Sequence, residues 1–166
     1  MLWPDSISGS IAETYREKIK KGEPIIIRDE KTASGRVHIG SMRGAAIHGI
    51  IHEILSKNGV STEFLWEIND FDPMDGLPVY IDQSIFEQHL GKPLYTIPSP
   101  DGKAKNFAEF YADEFKGVIE GVGFKPKFYR GSELYLSGKM NAVIKIALEK
   151  AGVIRKIYKE VSGSIR

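Results

Sequence analysis

Three short apolar runs, separated by two stretches of helical spacing, constrain this chain more than any other feature. Residues 24–28 read Pro-Ile-Ile-Ile-Arg, between Gly22 and a polar loop, and predict a strand buried on both faces. From about Met42 the spacing turns helical. Ala46, Ile50 and Ile54 recur every fourth residue, with Ile47, Ile51 and Leu55 beside them, and Asn58-Gly59 supplies a stop. Residues 62–68 predict a second strand. Phe107, Phe110, Tyr111, Phe115, Val118 and Val122 trace an amphipathic helix closed by Gly123, and residues 127–130 form a third strand. A first helix precedes them on Ile7, Ile11, Tyr15 and Ile19, capped by Ser6 or Ser8 and stopped by Gly22. A last apolar stripe from Met140 to Tyr158 reads as one long helix, bent near Gly152, which costs about 1 kcal/mol against alanine.

Strand, helix, strand, helix, strand implies parallel strands joined by right-handed crossovers. The expected fold class is α/β: half of a doubly wound, Rossmann-type nucleotide-binding fold, a parallel three-stranded sheet flanked by helices. Ligands on such sheets bind beyond the carboxyl ends of the strands, here residues 28–41, 67–75 and 130–135. The 166 residues fit a single domain. Within it residues 70–105, with five prolines and little period, form a long loop or insertion of the kind that is often functional.

Composition removes several classes of function. With 23 basic and 22 acidic residues the chain has no general attraction to nucleic acid or anionic membrane. The absence of cysteine excludes disulfides, thiolate zinc sites and cysteine nucleophiles. No apolar run approaches the roughly 20 residues that span a bilayer. The start, Met-Leu-Trp-Pro-Asp, does not resemble a secretory signal. A cytoplasmic location without a membrane partner is expected.

The sharpest signal is the loop at residues 32–41, Thr-Ala-Ser-Gly-Arg-Val-His-Ile-Gly-Ser. It is neither a Walker loop nor Gly-x-Gly-x-x-Gly, but its chemistry suits ATP. His38 stands just before a helix start, where free amides and the helix dipole attract phosphate. Its imidazole there can donate to charge that builds on an α-phosphate. Gly40 lets a nucleotide approach the backbone closely. Beyond the second strand, Glu67, Asp70 and Asp72 offer carboxylates that suit a cationic group, or a Mg²⁺ carried by nucleotide phosphates. His48 and His52 are spaced to share a metal, but no third ligand is near, and a hydrogen-bonded pair is the preferred reading. Trp66 reads as core.

Several stretches together resemble the class I lysyl-tRNA synthetase family. His38-Ile39-Gly40-Ser41 is similar to the His-Ile-Gly-His signature of class I synthetases, and Ser34-Gly35-x-x-His38-Ile39-Gly40 with Arg43 resembles the lysyl form. Asp70-Phe71-Asp72 followed by Gly76-Leu77-Pro78 resembles the family's acidic segment. Residues 91–101, Gly-Lys-Pro-Leu-Tyr-Thr-Ile-Pro-Ser-Pro-Asp, and Phe128-Tyr129-Arg130-x-Ser132-Glu133-Leu134-Tyr135 resemble two further stretches. The chain departs from the family at Ser41, where His or Asn is usual, at Glu30, and after the acidic segment, which lacks Arg-Lys. Lys139-Met140-Asn141 only superficially resembles the family's second signature and reads as structural.

The resemblance implies the N-terminal half of a catalytic domain within a longer protein, with lysine, ATP and tRNA(Lys) as partners and Mg²⁺ accompanying ATP. Zinc is not expected here. His38 and Ser41 would stabilise phosphate. Ser34, Gly35 and Gly40 would contact nucleotide, while Thr32, Asp70 and Asp72 would contact substrate. By itself the chain should be inactive, and an open edge on the first strand should favour self-association. The rival readings are a stand-alone nucleotidyltransferase using the same His-x-Gly-x loop, and a non-catalytic nucleotide-binding fragment.

Overall fold

The computed structural model describes residues 2–163. The chain folds into two compact units, Met1–Gly131 and Ser132–Arg166.

The first unit contains a three-stranded parallel sheet in the order β1-β2-β3, formed by β1 (Ile25–Thr32), β2 (Thr62–Asn69) and β3 (Lys127–Arg130). Two long helices make the crossovers, α3 (Ile39–Lys57) and α5 (Phe107–Gly121). Both pack on the same sheet face. His52 of α3 lies against Phe64, and Phe115 of α5 lies against Trp66, with ring centroids 5.5 and 5.2 Å apart. Phe64 and Trp66 are two residues apart on β2 and so share one face. Two successive right-handed crossovers in one direction place their helices together.

This corrects the expectation that the first strand is buried on both faces. Ile25 and Ile27 point into the helix-covered face and are buried, whereas Ile26 points the other way and is 60% exposed. The strand also runs four residues past Arg28, to Thr32. Its added residues are polar and left no aliphatic trace.

The first helix starts earlier than expected. α1 (Trp3–Thr14) follows Leu2, whose amide donates to Asp5, and Pro4 occupies the first turn. Neither Ser6 nor Ser8 caps it, and Ser8 is buried inside the helix. Tyr15 separates α1 from a short α2 (Arg16–Lys20). The expected stops hold: α3 ends at Asn58-Gly59, and Gly123, with φ +96°, follows α5.

Residues 70–105 are largely irregular but anchored. They contain α4 (Gln83–Phe86) and two 3₁₀ turns, and they bury Met74, Phe86, Leu94 and Ile97. α6 (Gly131–Leu136) follows β3 directly. In the second unit the expected single long helix is two, α7 (Asn141–Glu149) and α8 (Ala151–Ser162), broken at Lys150 beside Gly152. Lys139 and Met140 immediately precede α7.

At the β1 edge the ladder is asymmetric. The Ile25 amide donates to Ser61 and the Ala33 amide to Asn69, so odd-numbered amides face β2 and even-numbered ones face outward. The outward Glu30 amide is taken by Asp29 Oδ1 at 2.8 Å. A pairing strand could therefore use only the stretch around Ile26 and Arg28.

Candidate functional site

The 33–38 loop leaves the carboxyl end of β1 and enters α3 at His38. His38 is exposed and extended, with φ −136° and ψ 167°, directly ahead of the first helical residue. Its amide lies 3.4 Å from Ser41 Oγ. A hydroxyl that accepts this N–H keeps its own hydrogen to donate elsewhere. A Cβ on Gly40 would stand 3.0 Å from the His38 ring, so the glycine leaves room for the imidazole over the first turn. The Ser41 amide donates back to the His38 carbonyl at 2.9 Å, and the Ile39 and Gly40 amides of this 19-residue helix lie beside an imidazole and a hydroxyl.

Thr32 and Asp72 meet. The Thr32 hydroxyl donates to Asp72 Oδ2 at 3.1 Å, joining the end of β1 to the turn after β2. Asp70 is buried, and its charge favours the ionised form of Arg130. The acidic segment is also stitched to residues 91–95. Met74 donates to Lys92, Gly91 to Met74, Leu94 to Asp72 and Tyr95 to Asp70, all at 2.8–3.0 Å, and Phe71 stacks on Tyr95. Two motifs about 20 residues apart in sequence thus form one structural piece.

Arg130 closes the far side. It holds Glu109 of α5 through two bonds of 2.5 and 2.6 Å. Those bonds hold the Glu109 carboxyl below its ordinary range, against the opposing effect of burial.

Glu67 is not at the strand end with the other two carboxylates. It points to the sheet face opposite α3 and α5, where Arg28 and the Tyr129 hydroxyl bind it, the latter at 2.9 Å. Burial and this carboxylate push the Tyr129 phenol up to about 12. His48 bonds to Asp29 at 2.8 Å and His52 to Thr62 at 2.9 Å, so the two histidines serve separate partners. Sequence reasoning also passed over Arg36, Tyr80 and Glu114. These three meet around the 33–38 loop although they lie up to 78 positions apart, and only their shared contact identifies them.

A parallel three-stranded sheet whose first crossover loop runs through His38-Ile39-Gly40 into a helix N-terminus is half of a Rossmann-type fold. The chain belongs to the family described as tRNA synthetases class I (K), whose model matches residues 1–166. It is 33% identical over 161 residues to the lysine–tRNA ligase of Methanosarcina barkeri (strain Fusaro), covering 97% of this chain and 28% of that protein. Lysine–tRNA ligase 1 of Methanosarcina acetivorans is 29% identical over 163 residues, covering 98% and 29%. The lysine–tRNA ligase of Methanocaldococcus jannaschii is 29% identical over 157 residues, covering 95% and 28%. The chain therefore spans a little over a quarter of the length of these curated relatives.

Proposed function

We propose that this chain supplies the nucleotide-binding part of a lysine–tRNA ligase, which activates lysine with ATP to lysyl-adenylate and passes the lysyl group to tRNA(Lys). The observation that carries the reading is His38 with Ser41 at the start of α3, beyond the carboxyl end of β1, in a chain matched throughout by the family. A lysine carboxylate oxygen attacks the α-phosphorus, the bond to the bridging oxygen breaks, and pyrophosphate leaves with that oxygen. No protein nucleophile is needed, so the work is positioning and charge stabilisation. His38 donates to the α-phosphate oxygens as charge builds. The Ser41 hydroxyl and the first-turn amides add donors, with Ser34, Gly35 and Gly40 forming the surrounding wall. Thr32 holds Asp72, and Asp72 with Asp70 receives lysine's ammonium groups.

Among the described residues no three His, Cys, Asp or Glu side chains converge on a metal position. Any Mg²⁺ would arrive with the ATP phosphates and offset their charge. No helix among the described residues is long and apolar enough to cross a membrane.

Lysine-dependent exchange of pyrophosphate into ATP, by a protein of the relatives' length carrying this chain, tests the activity. Exchange supported by another amino acid but not lysine would reject it. In the same assay Asp72→Asn should raise the lysine KM by about tenfold or more, the loss of a charge-assisted partner worth about 1.5–3 kcal/mol, with a smaller change for ATP. A wild-type lysine KM in this variant and in Asp70→Asn would place the ammonium contacts elsewhere.

The 166 residues alone should make no adenylate. They should also self-associate through the open β1 edge, where Ile26 is exposed. Sedimentation across a concentration series tests this. A strict monomer with strongly protected Ile26 and Arg28 amides would refute it.

A further inference from the structure

The 33–38 loop has no regular structure, yet its backbone is held from two directions. The Arg36 amide donates to the Tyr80 hydroxyl at 2.7 Å. The next amide, of Val37, donates to Glu114 Oε1 at 2.9 Å. Tyr80 belongs to the irregular segment after β2, and Glu114 to α5. The Arg36 guanidinium lies over the Tyr80 ring, 5.4 Å from its centroid, with Nε 4.0 Å from Glu114. Gly35 permits this approach, because a Cβ there would stand 2.7 Å from the Tyr80 hydroxyl. Tyr80 in turn meets the buried Tyr111 edge-on at 6.4 Å.

Core packing does not account for Tyr80, which is 50% exposed. Apart from its contact with Tyr111, its directed contacts go to the loop: one to the Arg36 backbone amide, one to the Arg36 side chain. We infer that Tyr80 and Glu114 are positioning residues that preset the 33–38 loop for the ATP phosphates, an inference that rests on the function proposed above. They occupy the two amides ahead of His38, which leaves the first turn of α3 as the amide surface offered to phosphate. They also fix the path by which the chain delivers the His38 ring. A loop ordered beforehand does not have to be ordered when ATP binds. Loosening it should therefore weaken ATP, with little effect on lysine or on the rate once both are bound.

The test uses the full-length enzyme, with pyrophosphate exchange and amide hydrogen exchange as readouts. Tyr80→Phe keeps the ring and removes the acceptor. It should raise the ATP KM about five- to tenfold, the scale of one lost hydrogen bond. The lysine KM and kcat should stay within about twofold, and the Arg36 amide should exchange faster while the Trp66 amide in β2 does not. Glu114→Ala should behave in the same way at Val37. Glu114→Gln keeps an acceptor oxygen and should restore the ATP KM, a rescue that loss of charge alone would not produce.

An unchanged ATP KM in Tyr80→Phe, equal losses for lysine and ATP, or unchanged exchange at Arg36 would overturn the inference. A wild-type enzyme without lysine-dependent exchange would instead defeat the proposed function. Direct ATP titration then decides the loop's role, and equal ATP affinity in wild type and Tyr80→Phe would overturn it.

Discussion

Replacing His38 with alanine should slow lysyl-adenylate formation by about 10²–10³-fold, the cost of removing one preorganised donor to a charged transition state. The side chain is exposed at the start of α3 and belongs to no core cluster. Stability should therefore change by no more than about 0.5 kcal/mol, the usual range for surface substitutions. The two effects are measured separately, by single-turnover adenylate formation in the full-length enzyme and by urea unfolding. Lysine and ATP should still bind, since the donor's contribution grows only as charge moves onto the α-phosphate oxygens. A normal adenylation rate would remove His38 from the reaction. A large loss of stability would make it a structural cap.

Trp66→Ala should destabilise the chain by about 3–5 kcal/mol, the range for removing a large buried aromatic. Trp66 is 1% exposed at the centre of β2 and packs between Phe64 and Phe115, whose ring centroids lie 6.1 and 5.2 Å away. It thereby ties the middle strand to α5. Its indole N–H is buried with no hydrogen-bond partner among the described residues. Such a group costs about 1–3 kcal/mol, so Trp66→Phe should recover much of what alanine loses, because it removes that N–H along with part of the ring. Urea midpoints followed by circular dichroism give both values. An alanine variant within about 1 kcal/mol of wild type would show that the sheet does not depend on this residue. The link to the proposed function is indirect: β2 carries Asp70 and Asp72 beyond its end, so on that proposal the alanine variant should lose lysine binding in step with folding.

These two residues mark the range of what can be read from a linear chain. His38 was identifiable because the aliphatic run before it and the four-residue spacing after it place it at a strand-to-helix junction, which needs only local pattern. The same holds for the stops at Asn58-Gly59 and Gly123, where glycine adopts positive φ beyond a helix end. Period alone did not reveal which sheet face stays open. The run Ile25, Ile26, Ile27 carries no marker that its middle member faces away from both crossover helices. That follows from the shared hand of two crossovers, a property of the assembled sheet.

The site divides in the same way. His38, Gly40 and Ser41 lie within four positions of one another, and helix geometry brings them together. Thr32 and Asp72 were both expected near substrate, but their contact across 40 positions needs the parallel pairing of β1 with β2. Glu67 looked like a third carboxylate of the acidic segment. Strand alternation turns it to the opposite face, where Arg28 neutralises it. Tyr80 and Glu114 stand 44 and 77 positions from the amides they hold. Hydrophobic period and turn chemistry report only on neighbours along the chain. They specify the strands, the crossover helices and the loop that carries His38. The partners that shape that loop come from the folding of α5 and the segment after β2 around it, because a hydrogen bond depends on distance in space and leaves no periodic mark in the sequence.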